Sequence, residues 1–143
     1  MSWIRVWVHF VFSTKNSHRL LKPYSLRQEL FKHMKTNAKE KNLYLDTVNG
    51  FEQHAHCLIS LSRDITISKT MQLIKGESAF WFNHNDFGNK LYWQDDYWAA
   101  SVSESHLERV RKYIMNQEEH HKSVPFSEEV DKFMKKYGWQ HYK

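Results

Sequence analysis

The sequence predicts an α+β fold in which helices cover an antiparallel β-sheet. Three observations carry this expectation. The chain opens with a period-two apolar run, helical-period segments alternate with strand-like ones, and an Asn-Gly pair in the middle reads as a hairpin turn. At 143 residues with only four Gly and two Pro, the chain fits one ordered domain spanning 1–143.

Each element follows from local pattern. Ile4, Val6, Val8, Phe10 and Phe12 alternate with Arg5, Trp7 and His9, as in a half-buried strand. Ser25 and Gln28 form a capping-box pattern for a helix to about Lys41, with Leu26, Leu30, Phe31, Met34 and Ala38 as its apolar stripe. Residues 43–48 read as a second strand, Asn49-Gly50 as the turn, and the run through His54-Ala55-His56-Cys57-Leu58-Ile59-Ser60-Leu61 as a third strand. A second helix is expected over 68–83, a fourth strand near 97–102, and a helix from a Ser105/Glu108 capping box to about His121. Pro125 precedes a short amphipathic helix over 127–137, with Val130, Phe133, Met134 and Tyr137 on one face. The order β-α-β-β-α-β-α-α matches a ferredoxin-like antiparallel sheet with covering helices.

Composition narrows the functional classes. The net charge of +5 and ten His permit nucleic-acid binding without requiring it. A single Cys excludes an intramolecular disulfide and fits a reducing compartment. Arg5 and His9 interrupt the apolar start, which is unlike a signal peptide, and no run approaches the roughly 20 apolar residues of a membrane span. A soluble, cytoplasmic protein is expected.

Two constellations could carry chemistry. On a strand, His54 and His56 project from one face while Ala55, Cys57, Ile59 and Leu61 project from the other, so both imidazoles could hold one divalent ion. The same spacing also suits a merely hydrogen-bonded His pair. On the helix after Ser105, Leu107, Val110 and Ile114 make the core stripe, whereas Tyr113 and Gln117 share a polar stripe with His106 and Arg109. A structural tyrosine fits that position as well as a reactive one. A Gln carbonyl could add a hard oxygen ligand to the two imidazoles. A phenol with an ordinary pKa near 10 is a poor nucleophile at neutral pH. A cation held by His54, His56 and Gln117 would polarise a phosphodiester and offset the charge that builds on attack.

His-x-His on a strand followed by Tyr113-Ile114-Met115-Asn116-Gln117 on a helix resembles the single-tyrosine HUH transposases of the insertion-sequence 200/605 group. Ser13-Thr14-Lys15-Asn16, Leu73-Ile74-Lys75-Gly76-Glu77-Ser78, Ser101-Val102-Ser103 and Gln117-Glu118-Glu119-His120-His121 resemble that family in the same order, across nearly the whole chain. The resemblance implies metal-dependent cleavage and rejoining of single-stranded DNA at hairpin-flanked element ends, through a covalent 5′-phosphotyrosine. It also implies Tyr113 as nucleophile, Mg²⁺ or Mn²⁺ on His54, His56 and Gln117, and a homodimer in which Tyr113 of one subunit completes the site of the other. Two departures stand out. Gln53 replaces the Asp often found before the first motif His, and Asp96-Tyr97-Trp98-Ala99-Ala100 replaces a glycine-rich stretch.

Lys15, Lys75 and Arg109 are the expected phosphate contacts, with solvated helix faces the alternative for Arg111 and Lys112. Trp7, Trp81, Trp93 and Trp98 fit either a core or stacking on unpaired bases. His9 could approach the metal face, Cys57 faces the core, and His120 and His121 read as surface residues near a helix end. The rival functional reading is a non-catalytic or domesticated relative that binds DNA hairpins.

Overall fold

The computed structural model describes residues 2–139. Its elements are β1 (Val6–Ser13), α1 (Tyr24–Glu40), β2 (Tyr44–Phe51), β3 (His54–Leu61), α2 (Ile67–Asn83), β4 (Trp98–Val102), α3 (Leu107–Met115), α4 (Gln117–His120) and α5 (Phe126–Tyr137). The four strands form one antiparallel sheet in the order β2-β3-β1-β4, which is the ferredoxin-like arrangement the pattern predicts. Among the described residues no helix is long and apolar enough to cross a membrane.

Both sheet faces are covered, so β1 is not half-buried as its alternation suggested. Val8, Phe10 and Phe12 join Ala55, Cys57 and Ile59 against Leu30, Phe31 and Met34 of α1 and Met71, Ile74 and Phe82 of α2. The opposite face carries Trp7 and Leu58, closed over by Leu107 and Ile114 of α3. That second face also holds His9, His54 and His56, each buried. Polar residues on a covered face need partners, because an unpaired buried polar group costs about 1–3 kcal/mol. His54 and His56 find partners in α4 and α5, and His9 pairs with His56.

The central turn lies three residues beyond its expected place. Phe51 pairs with His54 across a two-residue connection, Glu52-Gln53, while Asn49 and Gly50 are inside β2, opposite His56 and Ala55. Asn49 is held by its side chain, which donates to the Met115 carbonyl at 3.1 Å. Gly50 serves close approach: a Cβ there would sit 2.1 Å from the His54 carbonyl oxygen and 2.9 Å from Ala55 Cα. Gly50→Ala must therefore push β2 from β3 at the residue that carries His54. The expected cost is about 1–3 kcal/mol, the range for overpacking, read as a lowered urea midpoint at unchanged slope.

The expected caps also differ. Pro23 precedes α1 with no side-chain cap, and Ser25 lies inside the helix. Pro's fixed φ suits a helix start without a hydroxyl acceptor. Ser105 sits in a short 3₁₀ turn, Glu104–His106, where its hydroxyl meets His106 Nδ1 at 3.1 Å, and Glu108 pairs with Arg111. Thr66 does cap α2, accepting from the Lys69 amide at 3.0 Å. The expected single helix to His121 is broken at Asn116 into α3 and α4. Asn116 leaves helical geometry at the break, the Met115 carbonyl beside it accepts from the Asn49 side chain, and Gln117 is buried.

Candidate active site

Side chains from three parts of the chain meet beneath α5. β3 supplies His54 and His56, because period two puts both on the face away from the α1–α2 core. Tyr113, Gln117 and His121 follow one another at four-residue intervals through α3, α4 and the residue after it. Arg27 of α1 anchors this segment, with its Nε 2.7 Å and Nη2 2.6 Å from the two Glu118 carboxylate oxygens. That bidentate pairing fixes α4, and with it Gln117, against the body of the domain.

The centre of the cluster is Glu129 of α5, a carboxylate only 2% exposed. His56 Nε2 lies 3.0 Å from its Oε1 and His54 Nε2 3.6 Å from the same oxygen. The Tyr113 hydroxyl donates to Oε2, and His121 Nε2 is 3.4 Å from that oxygen. His120 Nε2 lies 3.0 Å from Oε2 but is not aligned to share a hydrogen bond with it or with any other group. Gln117 Oε1 adds contacts of 3.1 Å to His54 Nε2 and 2.9 Å to His121 Nε2. His9 Nε2 reaches His56 Nδ1 at 2.9 Å, so β1 braces the imidazole from behind. Phe126 stacks on the His54 ring at 4.1 Å, and Phe133 flanks the rings of His56 and Tyr113.

Electrostatics follow from burial and this crowding. Burial is the largest influence on His9, and His56 nearby adds to it, lowering His9 to about 3. Burial likewise pushes His54 well below its ordinary value, again with His56 adding to the effect. Burial alone would raise Glu129, but the imidazoles packed around it, His121, His56 and His54, outweigh it and leave the carboxylate well below its usual range. Tyr113 moves the other way: burial first, then its hydrogen bond to Glu129 and that residue's charge, push the phenol above its ordinary value. In this arrangement Tyr113 is a protonated donor.

These shifts set a pH dependence. A histidine depressed in the folded state binds protons more readily when unfolded, so its contribution to stability is full above its ordinary 6.5 and falls as pH drops, for His9 down to about 3. Glu129 acts in the same direction below the ordinary 4.5 of a carboxylate. In EDTA, the unfolding free energy is therefore expected to fall between pH 7 and 5, at up to about 1.4 kcal/mol per pH unit for each such group. His9→Gln should flatten that slope in urea titrations, and an unchanged slope would contradict the assignment.

Of the residues read from sequence, His54, His56, Tyr113 and Gln117 come together, and Cys57 lies buried on the opposite face, where burial raises its thiol. His121 and His120 belong to this cluster: the fold of α5 over α4 encloses His121, leaving its side chain 2% exposed, and partly covers His120. Glu129 went unread, although a carboxylate between Phe126 and Phe133 on the apolar stripe of α5 is a signal in itself. Lys15, Lys75 and Arg109 stand apart from the cluster. Lys15 and Lys75 line one groove with Phe80, Tyr92 and Trp93, and Lys75 Nζ donates there to the Gln94 and Asp95 carbonyls at 2.6 and 2.9 Å. Arg109 is exposed on α3. Trp7 and Trp93 are core residues, while Trp81 stacks on His33 and Trp98 Nε1 meets Met134 Sδ.

The donor set suits a metal. His54, His121 and Glu129 bring one ligand atom each to within 4.8 Å of one another, all three buried. This buried His-His-Glu group could hold a divalent cation, and Gln117 Oε1 borders it.

Known proteins share the fold. The fold resembles a crystal structure described as that of a candidate transposase from Deinococcus radiodurans R1, with a TM-score of 0.64 and 20% identity over 81% of this chain and 93% of that one. It also resembles a REP-associated tyrosine transposase bound to a REP hairpin, with a TM-score of 0.59 and 19% identity over 87% of this chain and 73% of that one. No curated protein matches the sequence. A sequence model of the family described as IS200-like transposases matches residues 2–117, a span that includes His54, His56, Tyr113 and Gln117. The chain belongs to the IS200-like transposase family.

Proposed function

We propose that this transposase cuts and rejoins single-stranded DNA at hairpin-flanked ends of a mobile element, with Tyr113 as the covalent nucleophile and a divalent cation at His54, His56 and Gln117. The observation that carries this reading is the convergence of the Tyr113 hydroxyl and the two β3 imidazoles on one buried carboxylate, with the Gln117 carbonyl against His54. A cation there would neutralise charge on the scissile phosphate. The Tyr113 oxygen forms the new bond to phosphorus as the bond to the DNA 3′-oxygen breaks. The phenolic proton, already directed at Glu129 Oε2, leaves toward that carboxylate, and the 3′-oxygen takes a proton from water. Rejoining reverses the step, with a 3′-hydroxyl attacking the phosphotyrosine.

Hairpin binding is part of the proposal, in keeping with the hairpin held by the structural neighbour. The groove of Lys15 and Lys75, with exposed Phe80 and Tyr92 at its side, combines cations and aromatic faces as a single-strand path requires. A homodimer is also proposed. Exchange of Tyr113 between subunits would have to release the contact it makes to Glu129 within its own chain.

One observation favours a second reading, a hairpin binder without turnover: the Tyr113 hydroxyl is engaged by Glu129 and its acidity suppressed. An oligonucleotide carrying a hairpin and a single-stranded flank, incubated with the protein and Mn²⁺, separates the two. A covalent adduct that survives denaturing electrophoresis is the expected result. Tight hairpin binding with no adduct at any flank sequence would select the second reading.

A further inference from the structure

The centre holds too many acceptors and too few protons. His121 Nδ1 lies 2.7 Å from the Val124 carbonyl, which can only accept, so the neutral ring carries its proton there and turns a lone pair at Nε2 toward the cluster. His54 Nδ1 faces the Gln53 side-chain oxygen at 3.3 Å, and the tautomer that donates there turns its Nε2 lone pair inward. The Gln117 amide nitrogen donates to the Tyr113 carbonyl at 3.3 Å, which fixes Gln117 Oε1 inward as well. Two imidazole lone pairs, an amide oxygen and a carboxylate therefore point at one another across 2.9–3.6 Å. Such a set is repulsive by itself and becomes favourable around a cation. Each imidazole has its outer nitrogen oriented by a second group, which is how proteins aim histidines at metals.

Building on the proposed cation site, we infer that His121 and Glu129 are themselves metal ligands, completing with His54, His56 and Gln117 a centre that prefers Mn²⁺ over Mg²⁺. Both residues lie beyond the span 2–117 that the family match covers, and both come from the C-terminal segment that folds back over β3. The preference follows from donor type. Mg²⁺ takes oxygen donors and keeps several waters, whereas imidazole-rich sets suit later first-row ions. Gln53 fits the same design: its amide oxygen lies 3.3 Å from His54 Nδ1, and the negative charge of the centre enters from Glu129.

Mn²⁺ binding to the full chain without DNA tests this, read from loss of the free-ion electron paramagnetic resonance signal. Glu129→Gln and His121→Gln should each weaken Mn²⁺ binding more than about tenfold, since even losing an outer partner of a ligand costs 10–100-fold. Mg²⁺ should displace Mn²⁺ from the wild-type protein only in large excess. His33→Gln, on α1 outside the cluster, should bind as wild type, and far-UV circular dichroism establishes that each variant is folded. Should Glu129→Gln unfold, Glu129→Asp keeps the charge but withdraws the oxygens and should weaken binding likewise. Wild-type affinity in both Glu129→Gln and His121→Gln, with binding lost in His54→Gln, would overturn the inference while leaving a His54–His56–Gln117 site standing. Tighter binding in Glu129→Gln would also overturn it, marking Glu129 as an occupant of the cation's place. Absence of Mn²⁺ binding to the wild type would remove the cation from both readings, and the covalent-adduct assay would then judge Tyr113 separately.

Discussion

Tyr113→Phe is expected to abolish the covalent protein–DNA adduct, a loss of about 10³-fold or more, because no other group replaces a missing nucleophile. The change is conservative in the fold. The ring keeps its packing against His56, His9 and Phe133, and Glu129 keeps the imidazoles of His56 and His54. Stability should therefore change by no more than about 1 kcal/mol, near the worth of one hydrogen bond. Hairpin affinity, measured by fluorescence anisotropy, should be unaltered. An adduct that persists in Tyr113→Phe would move the nucleophile elsewhere. Lost hairpin binding would mean the variant had damaged more than chemistry.

His56→Ala carries the second large effect, and it reaches both stability and activity. The imidazole is fully buried and bonds on both sides, to His9 at 2.9 Å and to Glu129 at 3.0 Å. Its removal leaves a cavity, an unpaired His9 nitrogen and a buried carboxylate short of one partner. Such losses cost about 2–5 kcal/mol in comparable cores. Adduct formation should fall below detection even under conditions where the variant is folded. His56→Gln supplies a hydrogen-bonding side chain of similar reach and should recover much of the stability without the activity. Recovery of both would reduce His56 to a structural residue.

The two sets of effects bear on how much the sequence alone discloses. Strands and helices were legible because the periods of 2 and 3.6 are properties of the backbone. Cys57 on the core face and the His54–His56 pair on the other were placed by alternation alone. The turn was not, because Asn49-Gly50 is a strong local hairpin signal that a distant contact overrides. Met115, 66 residues away, takes the Asn49 side chain, and Gly50 is needed for close approach with no positive φ. The break at Asn116 lies beside the same contact, so both departures from local expectation fall where β2 meets the end of α3.

The candidate site divides in the same way. Tyr113 and Gln117 shared a helical stripe, and the structure extends that stripe to His121. Glu129 was hidden because its role depends on how α5 folds back over α4, and loop geometry around Pro125 decides that. Its position between Phe126 and Phe133 marked it as a charge on an apolar face, a reading that names a buried carboxylate but not its partners. His9 was placed on the correct face of β1, yet only the register of β1 against β3 brings it to His56.

The central claim is that Tyr113 itself becomes linked to DNA. Protease digestion of the adduct formed in Mn²⁺, followed by peptide mass spectrometry, tests it most directly. The account predicts that the peptide containing Tyr113 carries a nucleotide joined through its 5′-phosphate to the phenolic oxygen, leaving a free 3′-hydroxyl on the released strand. A nucleotide on any other residue, or a 3′-phosphate linkage on Tyr113, would contradict it.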